Sequence, residues 1–98
     1  MVKKYLAVIF DTADGHKFPA LFEVDGPFYK SYKLKKIIQI DSNALDYLEF
    51  IEIKNAVFWK WKTTQNGFRD HITGEGFKNY DFESDDDAKL WFEVEYNL

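Results

Sequence analysis

The sequence predicts a mainly β protein: an antiparallel sheet or small barrel of about six to eight short strands, with one short helix near residues 42-51 and an α+β arrangement as the alternative. Three observations carry this expectation. Apolar residues recur with a period of two through most of the 98 positions, as in strands with one buried face. Turn dipeptides at Asp14-Gly15, Gly26-Pro27 and Asn66-Gly67 cut the chain into segments of strand length. Ten Phe, six Tyr and three Trp favour pleated, half-buried surfaces and are too many to leave in water, so most are core. No repeat, low-complexity tract or linker divides the chain, and residues 1-98 are expected to form a single domain.

The elements follow in order. Tyr5 to Phe10 is apolar at odd and even positions alike, the pattern of a central strand covered on both faces. After the Asp14-Gly15 turn, Phe18, Ala20, Phe22 and Val24 share a face, with Lys17, Pro19, Leu21 and Glu23 opposite. Pro19 points to an edge strand. Beyond Gly26-Pro27, residues 29 to 40 read as a strand in which Tyr32, Leu34, Ile38 and Ile40 share a face that Lys36 interrupts. Ala44, Tyr47, Leu48 and Ile51 match helical spacing, and Asp41, Ser42 or Asn43 suits a cap. That is the expected short helix, with a strand from Ile51 onward. Residues 56 to 63 are a strand by composition, Asn66-Gly67 is the strongest short hairpin signal, and strands are expected around 68 to 73 and 77 to 83.

At the C-terminus two rules conflict. Ser84 before Asp85, Asp86 and Asp87 resembles a helix cap with acids in the first turn. Alternation favours a strand, with Leu90, Phe92, Val94, Tyr96 and Leu98 inward and Lys89, Trp91, Glu93, Glu95 and Asn97 outward. The strand is the expectation, with Ser84 to Asp87 as an acidic hairpin loop.

Composition then excludes several chemistries. There is no cysteine, hence no disulfide, thiolate ligand or thiol nucleophile. No G-x-S-x-G motif accompanies Ser31, Ser42 or Ser84. His16 and His71 lie in separate segments without metal-ligand spacing, Asp11-Asp14-Gly15 fails as a calcium loop after its first residue, and Gly74-Glu75-Gly76 is not a phosphate cradle. No enzyme, cofactor or metal is expected. The charge-free run at Tyr5 to Phe10 ends at Asp11, too short for a membrane span or signal peptide, so a cytoplasmic protein with no membrane contact is expected.

Charge is uneven along the chain. Residues 1 to 40 carry seven lysines against four acids, whereas residues 80 to 98 carry Lys89 against seven acids. The leading expectation is a small non-enzymatic domain that binds a protein partner with a basic surface through Glu83, Asp85, Asp86, Asp87, Glu93 and Glu95. Trp91 would be its exposed anchor. Such a domain could act as an inhibitor or immunity-type antagonist of a nucleic-acid-processing protein. The alternative is single-stranded nucleic-acid binding by Lys30, Lys33, Lys35, Lys36, Phe58, Lys60 and Lys62, because bases stack on aromatic rings while lysines neutralise phosphates. Strand alternation weakens it by turning Trp59 and Trp61 away from Lys60 and Lys62, toward the core.

Overall fold

A strand apolar on both faces needs cover on both sides, and the architecture supplies it. The computed structural model describes residues 2–12, 15–26, 33–62, 68–72 and 78–96, with the backbone alone at 11, 61, 68–72, 78 and 79. In chain order the elements are β1 (Lys3–Thr12), β2 (Lys17–Asp25), β3 (Lys33–Ile40), a 3-10 turn (Ser42–Asp46), β4 (Leu48–Ile53), β5 (Ala56–Trp61), β6 (Phe68–Ile72), β7 (Lys78–Phe82) and α1 (Asp85–Glu95). The protein is thus mainly β, and its described residues form two antiparallel sheets and one short α-helix.

The larger sheet is centred on β1. Strand β2 pairs along one edge, from Lys4 opposite Val24 to Asp11 opposite Lys17. The other edge is shared, by β7 along Lys3 to Ala7 and by β6 at Phe10 and Thr12. Strand β3 lies outside β2, giving the order β3-β2-β1. Gly15, at φ +94, closes the β1–β2 turn as the Asp14-Gly15 signal implied. Pro19 misled, because β2 is internal. The β2–β3 ladder begins only at Ala20 opposite Ile40, so position 19 has no ladder partner on the β3 side.

On one face Leu6, Val8, Phe10, Phe18, Ala20, Phe22 and Val24 pack beneath the smaller sheet and the 3-10 turn. That sheet is the β4–β5 hairpin, closed at Lys54 (φ 50) and Asn55 (φ 66). Two consecutive positive φ values are the signature of a type I′ turn. From this hairpin Phe50 and Trp59 reach the core, Trp59 with its ring 5.0 Å from that of Phe10. The inward reading of Trp59 therefore holds, while the side chain of Trp61 lies outside the described residues. The expected helix near residues 42-51 is a single 3-10 turn capped by the Asp41 carboxylate on the Asn43 N–H at 2.9 Å. Ala44 alone in that turn is buried, and the chain is extended again by Leu48. The Asn66-Gly67 turn lies outside the described residues, and among the described residues β5 pairs with β4 and β6 with β1.

The opposite face gathers Tyr5, Ala7 and Leu21 under Ala88 and Phe92 of α1. This is the main correction to the expected fold. Residues 85 to 95 are a helix, not a strand: Ser84 accepts from the Asp87 N–H at 3.2 Å, and the three aspartates fill the first turn. The alternation count fails on burial, with Phe92 inward but Leu90 65% and Val94 72% exposed. Leu21, assigned to the polar face of β2, is buried because α1 covers that side. Two register shifts in the β2–β3 ladder also split the expected β3 face. Leu34, Ile37 and Ile40 pack on the hairpin side and Ile38 on the helix side.

Candidate functional site

The helix divides its own charges. At 3.6 residues per turn, Asp85, Ala88 and Phe92 fall on the sheet side, whereas Asp86, Leu90 and Val94 fall outward. Asp85 is consumed by the fold. It accepts from the Tyr5 hydroxyl at 2.6 Å, pairs with the Lys36 amine and lies 3.8 Å from Lys3 Nζ. The hydrogen bonds from Lys36 and then Tyr5 hold its carboxyl below the usual carboxylate range. The same Asp85 bond raises the Lys36 amine. Burial, then the bond to Asp85, pushes the Tyr5 phenol up. Lys36 also reaches Glu23, as does Lys35, both at 3.7 Å, which neutralises a carboxylate that is nearly buried. Asp85 thus joins α1 to β1 and β3.

The expected binding set therefore separates. Glu83, Asp86, Asp87 and Glu95 are exposed and Glu93 is half-exposed. Trp91 is not an exposed anchor. Its ring lies 4.1 Å from that of Tyr80 and 5.5 Å from that of Phe82, so it is part of the helix-side core. The exposed apolar residues of α1 are instead Leu90 and Val94, one turn apart. Asp86 and Asp87 precede Leu90 by four and three positions and Glu93 follows it by three, all neighbours on a helix surface. The result is an apolar pair in an acidic frame. Helical spacing would have revealed it, had alternation not been preferred.

The lysine set is also split. Lys30 lies outside the described residues. Lys35 and Lys36 face carboxylates, as above, and Lys60 pairs with Glu49 at 3.6 Å. Phe58 is 54% exposed and shares a β5 face with Lys60, opposite to Trp59. Its cross-strand neighbour is Ile51, and Ile53 shares that face. Lys33 and Phe58 meet at a groove of about 380 Å³, and Lys62 is exposed. His16 is exposed and stacks on Phe18 near Tyr47. His71, Ser31 and Gly74 to Gly76 fall where no side chain is described. No group of three or more metal-ligating residues occurs among the described residues, and no described helix is long and apolar enough to cross a membrane. Compared with known protein families, curated proteins and solved structures, the chain matches none.

Proposed function

We propose that this chain is a non-enzymatic protein-binding domain that docks through the outward face of α1. The observation that carries the reading is the exposure of Leu90 and Val94 within a frame of Asp86, Asp87 and Glu93. Apolar area removed from water supplies affinity, while the carboxylates select a basic partner and speed encounter. A basic surface is what proteins acting on nucleic acids present, so the domain would act in the cytoplasm as an inhibitor of such a partner by covering that surface. Asp85 and Trp91 support the face from beneath and make no contact themselves.

The test is paired affinity capture from the native host with the wild-type chain and the Leu90→Ser/Val94→Ser variant. The expected result is a basic protein retained by the first and lost by the second, with both chains equally helical by circular dichroism. Kinetics with that protein should show slower, less salt-sensitive association for Asp86→Asn/Asp87→Asn and faster dissociation for Leu90→Ser. Equal capture by wild type and variant refutes the reading.

A further inference from the structure

The β4–β5 hairpin has a second face, turned away from the core. We propose that this face is a homodimer interface, on which a second copy of the chain packs its own hairpin about a two-fold axis parallel to the strands. Alternate residues of a strand share a side. Phe50 and Trp59 pack on the core, so Glu49, Ile51 and Ile53 of β4 and Ala56, Phe58 and Lys60 of β5 belong to the outer side. Ile51, Ile53 and Phe58 are 40%, 52% and 54% exposed, with Ile51 directly opposite Phe58 in the ladder. Large apolar side chains gathered on one exposed face mark a contact surface rather than a solvated one.

The occupant is a second copy because the face carries its own complement. Register sets three rows across it: Glu49 beside Lys60, Ile51 beside Phe58 and Ile53 beside Ala56. A two-fold axis running between the strands lays β4 of one copy over β5 of the other, in the aligned packing of sheets about 10 Å apart. Each row then meets itself reversed. Glu49 faces Lys60 of the second copy and Lys60 faces its Glu49, so the pair that is 3.6 Å apart within each chain closes into a ring of alternating charge, which fixes register. Ile51 faces Phe58. Ile53 faces the small Ala56, at the rim of an opening of about 380 Å³ that Leu34 and Phe58 also line, so the isoleucine has room. An axis across the strands would instead set Glu49 on Ile53 and Lys60 on Ala56, covering both charges with apolar groups. The face is neutral, one acid against one lysine, so the chain's net charge of −4 is not concentrated where the copies meet. Six residues on each of two strands cover roughly 20 by 10 Å, far below the about 800 Å² per partner of a standard interface. The dimer is therefore weak and exchanges with monomer. Helix α1 packs on the opposite face of the larger sheet, so both copies keep Leu90 and Val94 open.

Sedimentation velocity of the full chain, from dilute to near-saturating concentration, tests the proposal. The expected result is a monomer–dimer equilibrium whose dissociation constant rises about tenfold or more in Ile51→Ser/Phe58→Ser and is unchanged in Leu90→Ser/Val94→Ser, which separates this face from that of α1. Glu49→Lys and Lys60→Glu should each weaken self-association about tenfold, because the ring then holds like charges. Mixed in equal amounts, those two variants should associate again, since each supplies the charge that the other lacks. Every substituted side chain is exposed, and circular dichroism checks that each variant is folded. The proposal is overturned by a monomer at every concentration, which would leave the face to a foreign partner, by a dimer that survives Ile51→Ser/Phe58→Ser or is lost in Leu90→Ser/Val94→Ser, or by failure of the mixed charge variants to associate.

Discussion

Replacing Asp85 with Ala should destabilise the protein more than replacing any other acid of residues 80 to 98, and the reason lies in what it leaves behind. Tyr5 is fully buried and its hydroxyl donates to Asp85 at 2.6 Å. Removing the acceptor strands that donor, at about 1–3 kcal/mol. Loss of the partly exposed pair with Lys36 adds at most about 1 kcal/mol, and loss of an acid from the first helical turn about 0.3–1 kcal/mol. The total is about 1–5 kcal/mol. Tyr5→Phe should cost only about 1 kcal/mol, because Asp85 keeps Lys36 and Lys3 when the phenol goes. The double variant should cost less than the two singles together, by about 1–2 kcal/mol, since a phenylalanine leaves no orphaned donor. Urea unfolding of the four proteins, with linear extrapolation to water, measures the cycle. A cost below about 0.5 kcal/mol for Asp85→Ala, or additivity within about 0.3 kcal/mol, would refute the assignment of Asp85 as the clasp of α1.

Three further outcomes follow from the same structure. Trp59→Ala should lose about 2–4 kcal/mol by opening a cavity beside Phe10, whereas Phe58→Ser, one residue away on the solvent face, should stay within about 0.5 kcal/mol by thermal unfolding. Asn55→Gly should raise the melting temperature by a few degrees, because glycine relieves a φ of 66 at about 0.5–1 kcal/mol; a lower melting temperature would contradict the type I′ geometry. The Asp85 network should also set the pH range of stability. The folded carboxyl is held low, so its contribution is complete above about pH 4 and fades as pH falls further. Tyr5 and Lys36 are both raised, so theirs is complete below about pH 10 and lost as pH rises through the folded values. Asp85→Ala should flatten the acid flank of a melting temperature against pH curve and weaken the alkaline flank only in part, because burial still raises the Tyr5 phenol.

Strands were legible wherever one local rule spoke alone. The two-sided apolar run of β1 and the alternation of β2 needed nothing beyond period and turn residues. Reading failed where the deciding partner was distant in sequence. Pro19 argues for an edge unless one knows that the β3 ladder stops at Ala20, and the face of Ile38 depends on bulges set by pairing with β2. Lys36 did signal its role, since a lysine interrupting an apolar strand face needs a carboxylate. Its partners, however, are Glu23 and Asp85, and no local pattern names either.

The C-terminal segment shows how one such choice redirects function. Alternation and helical period both place Phe92 inside, so burial of that ring does not decide between them. The cap does. Ser84 satisfies an N–H that a strand would leave to water, the three aspartates sit where the helix dipole favours negative charge, and Asp85 gains a buried phenol and an amine. Those local terms act together, while a strand would repay its cost only after finding an edge to pair with. Once the helix forms, the same sequence exchanges roles. Trp91, outward on a strand, turns onto Tyr80 and Phe82, and Leu90 and Val94, inward on a strand, become the exposed pair. The acids nearest that pair are Asp86, Asp87 and Glu93, while Asp85 is spent on holding the helix. Neutralising Asp85 therefore loosens the platform, whereas neutralising Asp86 and Asp87 chiefly changes what the platform presents, at the smaller cost of their first-turn charges, about 0.3–1 kcal/mol each.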